Sequence, residues 1–429
     1  MKRFIAATLS ILFILLCGCS SNSGFFSDFS DFSEMLGESI HRTYRSINDT
    51  VSEAISGVIP ESGIDKDDII SIVPVEITYD GNDLKAYKQL TAKQKRLYSV
   101  MLTAVKNMEL KNIEVTKYLT GDGFSDSIIA HRALMCDRPD IFWMPKKISV
   151  LSLEGKKNKY ISFKDYYAEK DDIGFYGITK QEKEQMEAVF NEAVNSIVPR
   201  AAAFGNSFEK ELYLHDYLCE HITYDKEAAD DLENANRNSL TAYGALVDGK
   251  AICEGYAKAM QLLCIKCGIP CNVVFGEHEG VSHMWNVVNP GDGLYYLDVT
   301  FDDSSSDHIL HMYFNVTKEQ ILLDHKFDES YSPENIYDGT ASFNFFTDDC
   351  KNTVFNYFEW NEAYVDEDCK LAISNIIAAM DEGKNSAELK NRTSLPYASA
   401  FEHLSRKAFW TVRLKYCYHY EENILIVVW

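Results

Sequence analysis

Cys253, His283 and Asp298 are a thiol, an imidazole and a carboxylate, set 30 and 15 residues apart. These are the three groups that attack on a carbonyl through a thioester needs: a nucleophile, a proton carrier and a group that orients the carrier. Cys253 stands where a Gly-containing turn, Asp248-Gly249-Lys250, gives way to a helical run. Ala257, Met260, Leu263 and Cys267 are spaced for one buried face of that helix, and Gly268 and Pro270 end it. A thiol in the first turn of a helix faces unpaired backbone N–H groups and the positive end of the macrodipole, and both favour the thiolate. Gly255 and Ala257 keep the neighbouring side chains small, so that another backbone or a substrate can approach.

The other two groups are placed by strands. Cys271 to Gly276, Ser282 to Val288 and Leu294 to Thr300 read as strands, with Asn289-Pro-Gly-Asp-Gly293 as a turn. Folding the last two about Pro290-Gly291 predicts His283 directly opposite Asp298, on one face of a sheet with Cβ atoms about 5 Å apart. A different loop length would shift that pairing by a residue or two. At that separation a carboxylate can hold an imidazole in one tautomer and stabilise it when protonated. Trp285, two residues after the imidazole, reads as a cleft wall or a core residue.

Other groupings suggest chemistry more weakly. Cys264-x-x-Cys267-x-x-x-Cys271 has a spacing that thiolate metal sites use, but two of these thiols extend a helix face and no fourth ligand of fitting spacing follows. Glu277-His278-Glu279 and His308-x-x-His311 lack the helical His-Glu-x-x-His pattern of a hydrolytic zinc site. Asp225, Glu227, Asp230, Asp231 and Glu233 lack the spacing of a calcium loop and read as a solvated one. No metal and no cofactor is expected.

The words Cys253-Glu-Gly-Tyr-Ala, Gly268-Ile-Pro, His283-Met-Trp-Asn and Leu297-Asp298-Val-Thr300, in this order, resemble the bacterial transglutaminase-like, papain-like superfamily. Upstream, His215-Asp-Tyr-Leu218 and Ile222-Thr-Tyr-Asp225 look like the helix preceding the core in bacterial members. The resemblance covers about 110 residues, from about Ser207 to Val316. It implies Cys253 as nucleophile, His283 as base and then acid, Asp298 as its partner, and the Cys253 backbone N–H as a donor to the oxyanion. The sequence departs from the animal enzymes, which have a Trp after the nucleophile and another upstream. Here Glu254 follows Cys253 and no Trp lies between Trp143 and Trp285. Tyr243 is a candidate oxyanion donor or a packing residue, and the acyl acceptor, amine or water, stays open.

The whole chain sets the surroundings. A formal charge of −23, with no basic stretch, excludes nucleic acid as a partner. Lys2, Arg3 and an apolar run from Phe4 to Leu16 read as an export signal, and Gly18-Cys19 resembles a lipobox with Cys19 as the lipidated residue. Of nine later cysteines, eight beside Cys253 permit disulfides, while apolar neighbours such as those of Cys264 favour buried thiols. The expected fold class is α+β, a papain/transglutaminase-like core whose nucleophile helix packs on an antiparallel sheet, with α+β flanks. The expected division is a signal at 1–18, a tether at 19–68, an N-terminal α+β domain at 69–199, the catalytic domain at 200–328 and a C-terminal α+β domain at 329–429. Capping boxes at Thr91/Gln94 and Thr179/Glu182 predict helices, and alternation around Glu421-Glu422-Asn423 predicts a terminal hairpin. The implied protein is a lipoprotein at the bacterial cell membrane, outside the cytoplasm, acting on amide bonds of envelope peptides or proteins by hydrolysis or transamidation. The alternative is an inactive module of the same fold that holds peptide or glycan.

Overall fold

A computed structural model describes residues 55–59, 69–79, 83–119, 123–153, 157–164, 178–232, 235–303, 308–332, 342–420 and 424–429. The signal, Cys19 and nearly all of the expected tether lie outside the described residues. The first sheet has the order β1-β3-β4-β2. It is built from β1 (Ile55–Ile59), β2 (Ile113–Glu114), β3 (Lys147–Leu153) and β4 (Lys159–Lys164). Helix α1 (Ala92–Asn107) opens on the expected box: Gln94 N–H donates to Thr91 Oγ1 and Thr91 N–H to Gln94 Oε1. Its Leu97, Met101 and Val105 are buried, as the spacing predicts, and it packs on α2 (Phe124–Asp137). Helix α3 (Lys180–Ala202) begins on the Thr179/Glu182 box, with Phe190, Val194 and Ile197 inside and Val189 outside.

The central part follows. Helix α4 (Ser207–His221) leads to β5 (Thr223–Tyr224), which pairs in parallel with β6 (Lys250–Ala251). Cys253 opens α5 (Cys253–Lys266), which packs on β7 (Cys271–His278) and β8 (Val281–Val288). With β9 (Tyr295–Leu297) and β10 (His325–Phe327) these form an antiparallel sheet of order β10-β7-β8-β9. Asn286 fastens sheet to helix: its amide donates to Ala257 O at 2.9 Å and to Asn272 O at 3.3 Å. Gly255 is where α5 meets a loop, since a Cβ there would lie 2.7 Å from both Ala251 Cβ and Ser239 O. A single turn, α6 (Val299–Asp302), follows β9, and β11 (Glu329–Ser330) bridges β12 (Phe343–Asn344).

The β8–β9 register differs from the expected one by two residues. Asn286 pairs with Leu297, so Asp298 falls level with Trp285 rather than His283. The turn is centred one residue later than Pro290-Gly291, and β9 stops at Leu297 because the Asp298 side chain caps α6. His283 and Asp298 therefore meet diagonally.

The last part is a sheet of order β13-β14-β16-β15. It comprises β13 (Tyr364–Val365), β14 (Ser386–Asn391), β15 (Tyr416–Tyr420) and β16 (Ile424–Val428), with helices α7 (Lys370–Asp381) and α8 (Tyr397–Ala408). β15 and β16 pair from Tyr416↔Val428 to Tyr420↔Ile424, and the turn residues 421–423 lie outside the described residues. On α7 the buried residues are Ala372 and Ile376, while Ile377 and Met380 are exposed. One core holds Leu97, Ile161, Phe190, Met260, Trp285 and Cys350, so packing runs unbroken across position 199. A second core holds Ile376, Leu389, Leu404 and Leu425. No helix among the described residues is long and apolar enough to cross a membrane.

Candidate active site

The first residue of α5 is Cys253, 5 % exposed, and the helix has no side-chain cap at Ile252. Its first turn carries Glu254 instead, an acid that favours the positive helix end. Glu254 is buried and holds two cations, Lys146 Nζ at 2.5 Å and Lys258 Nζ at 2.7 Å. Burial would raise this carboxyl, but the two lysines bring it down to about 2. Lys146 is lowered to about 8 by its own burial, against the pull of Glu254. The acid beside the thiol is thus neutralised by a lysine that lies 108 residues earlier in the chain.

His283 Nε2 donates to Asp298 Oδ2 at 2.5 Å. After Asp298, the Cys253 thiol is the group that acts most on this imidazole. Burial alone pushes the imidazole down; the charge and hydrogen bond of Asp298, then those of Cys253, reverse this and carry it to about 10. Asp298 is held by four donors. Oδ1 accepts from Thr300 N at 3.0 Å and Phe301 N at 3.2 Å, and Oδ2 accepts from both His283 and His325 Nε2, the latter at 3.1 Å. Burial works to raise this carboxyl, but His283 and His325 pull it well below the usual carboxylate range. A carboxylate bonded this way keeps its charge and orientation while the imidazole exchanges protons.

His325 was not legible in the sequence. It sits in Asp324-His325-Lys326, which is no motif, and reaches the site because β10 pairs with β7, His325 opposite His278. Its Nδ1 bonds Asp324 Oδ1 at 2.5 Å, and Tyr313 donates its hydroxyl to the same aspartate. Gly276 makes room for β10: a Cβ there would lie 2.0 Å from Lys326 O and 2.6 Å from the Trp285 ring. Trp285 is buried, stacks on His283 with centroids 5.9 Å apart, and meets His325 and Phe327 edge-on. It is a core residue behind the imidazole rather than an open cleft wall. Its Nε1 has no hydrogen-bond partner among the described residues.

Tyr243 lies elsewhere. Its ring packs on Phe142 at 4.8 Å and Phe190 at 5.9 Å, and the charge that acts on its phenol after burial is Asp248. Tyr224 is the tyrosine at the thiol. It pairs with Ala251, two residues before Cys253, and burial followed by the charge of Cys253 pushes its phenol well up.

The remaining groupings have local structural uses. Asp225 is buried, not solvated: it caps a turn through Ala228 N, accepts from Ser239 Oγ at 2.5 Å and pairs with Lys250 at 3.0 Å. Cys136, Cys219, Cys264, Cys271, Cys350 and Cys369 are buried without disulfides. Asp137 accepts from Ala86 N, Tyr87 N and the Asn272 amide, tying α2 to β7.

A helix-borne thiol against a histidine–aspartate pair on a neighbouring sheet defines a papain-like, α+β thiol domain. Residues 198–303 match the family model described as transglutaminase-like superfamily. Among curated proteins, the kyphoscoliosis peptidase of Mus musculus is 26 % identical over 159 residues, 34 % of this chain and 23 % of that protein. The Homo sapiens kyphoscoliosis peptidase is 28 % identical over 133 residues, 28 % of this chain and 20 % of that protein. The chain thus spans under a quarter of the length of these relatives. A solved structure described as a TGase shares 16 % identity with a TM-score of 0.28, over 46 % of this chain and 55 % of that one.

Proposed function

We propose that this protein is a thiol acyl-transfer enzyme acting on amide bonds, with Cys253 as nucleophile, His283 as proton carrier and Asp298 as its orienting partner. The observation that carries the reading is the His283–Asp298 pair at 2.5 Å, with the Cys253 thiol of the first turn of α5 as the next group acting on that imidazole. In the reaction the Cys253 sulfur adds to the amide carbonyl, and His283 gives its proton to the departing amine as the C–N bond breaks. The thioester left on Cys253 is then opened by water or by a second amine, whose proton returns to His283. The backbone N–H at the start of α5 and the Tyr224 phenol are the donors assigned to the oxyanion, in place of Tyr243.

On this reading Cys19 carries a lipid anchor at the outer face of a bacterial membrane, with envelope peptides or proteins as substrates. The relatives' name is that of a peptidase, so hydrolysis is the first activity to assay. Cys253→Ala is expected to abolish covalent labelling of the full chain by a peptidyl fluoromethylketone; equal labelling of mutant and parent would sink the assignment. Incubating a peptide amide with and without a labelled primary amine separates hydrolysis from transamidation.

A second reading, a binding module that holds peptide or glycan without turnover, draws on the burial of Cys253 and His283, 5 % and 8 % exposed. It predicts a thiol no faster than a free cysteine toward iodoacetamide at neutral pH.

A further inference from the structure

A second histidine–carboxylate cluster lies apart from Cys253, on the far side of the α6 turn. His215 and Asp216 come from α4, His311 from the segment after α6, and Glu388 from β14. Asp216 Oδ1 is approached by two imidazole nitrogens, His215 Nδ1 at 2.9 Å and His311 Nε2 at 3.0 Å. Each ring is backed at its other nitrogen by a separate buried carboxylate: His215 Nε2 by Asp302 Oδ2 at 3.1 Å, and His311 Nδ1 by Glu388 Oε2 at 2.7 Å. The two rings are 5.1 Å apart, and Tyr357 stacks on His311 at 3.8 Å.

We infer that His215 Nδ1, His311 Nε2 and the Asp216 carboxylate form a binding site for a divalent, borderline-soft cation, Zn²⁺ before all others. Two imidazoles aimed at one carboxylate, each with a carboxylate behind it, is the arrangement in which outer acids fix the tautomer of metal-bound histidines. A tetrahedral Zn²⁺ with bonds of about 2.0–2.1 Å sets its ligand atoms about 3.4 Å apart. The three donor atoms already lie within 4.8 Å of one another, so an ion enters with a small outward movement of Asp216. Asp216 has a side chain 36 % exposed, which gives the ion an entry path and leaves its fourth position to water. The charge balance also holds. Three carboxylates with two imidazolium rings carry −1, and so do three carboxylates with two neutral rings and one M²⁺. The ion replaces two adjacent like charges by one shared cation.

His283, Asp298 and His325 form the same residue set but do not make such a site. Asp298 is 1 % exposed and both its oxygens are taken, so no room is left for an ion there.

The test is Zn²⁺ titration of the full chain after chelator treatment, followed by calorimetry and thermal unfolding, with Co²⁺ as a spectroscopic stand-in. One Zn²⁺ per chain, a raised Tm and a tetrahedral Co²⁺ visible band are expected. Asp216→Asn, at a half-exposed position that leaves packing intact, is expected to remove the Co²⁺ band. Glu388→Gln is expected to weaken Zn²⁺ about 10- to 100-fold while keeping it bound. His325→Gln is expected to leave affinity unchanged. No saturable uptake by the parent chain, equal uptake by Asp216→Asn, or loss in His325→Gln alone would each overturn the site.

Discussion

The aspartate of the candidate triad is bonded more heavily than its role of orienting one imidazole requires. Asp298 takes two backbone N–H groups on one oxygen and two imidazoles on the other, so it stays ionised and cannot turn. A titration follows for His283. Its folded value of about 10 lies above the ordinary histidine range, so the imidazolium contributes stability that is fully present below about pH 6.5 and is lost as pH rises through 10. Urea midpoints of the parent are expected to fall between about pH 6.5 and pH 10, and those of His283→Gln to fall less, the remainder coming from groups such as His311, which is raised to about 9. An unchanged difference between the two proteins across that window would contradict the ion pair. The three residues Cys253, His283 and Asp298 were legible because each lies in a short word whose local structure the sequence also dictates. His325 and Tyr224 were not. Each reaches the site through strand pairing with a partner 47 or 27 residues away, His278 or Ala251, and no spacing rule announces such a contact.

Elements place these groups by close approach at two glycines and one amide. Gly276, on β7, pairs with His283 on β8 and with Phe327 on β10, and any side chain there would push into Lys326 O or the Trp285 ring. Gly276→Ala is expected to cost about 1–3 kcal/mol through overpacking and to draw β10, with His325, away from Asp298. The check is the urea midpoint together with the rate of Cys253 labelling, both of which should drop; a midpoint equal to the parent's would show that β10 yields freely. Helix and strand identities here were readable from capping boxes and alternation, as at Thr91 and in Val281–Val288. The β8–β9 register was not, because Asp298 spends its side chain on capping α6 and ends the strand early. A two-residue offset preserves the face, which is why His283 and Asp298 still meet.

At the scale of the molecule, the N-terminal sheet and helices share one core with the thiol domain, and Lys146 extends that union into the site. Removing one partner of a buried pair costs up to about 3–5 kcal/mol, whereas replacing both by apolar groups is often neutral. Lys146→Met should therefore lower the unfolding free energy clearly, softened by the remaining Lys258, and Lys146→Met with Glu254→Leu should recover much of the loss. Equal stability of single and double mutants would show that the Lys146–Glu254 pair is not coupled. The shared core was not legible as such, since the division expected at residue 199 does not coincide with a gap in packing. These contacts bear on how portable the domain is. The stretch that matches the superfamily model, 198–303, contains all of Cys253, His283 and Asp298, yet one of the two lysines on Glu254 lies before it and the second histidine on Asp298 lies after it. Cut out and grafted elsewhere, that stretch would carry the candidate triad without Lys146 and His325; the site is shared with chain on both sides and does not travel as a cassette.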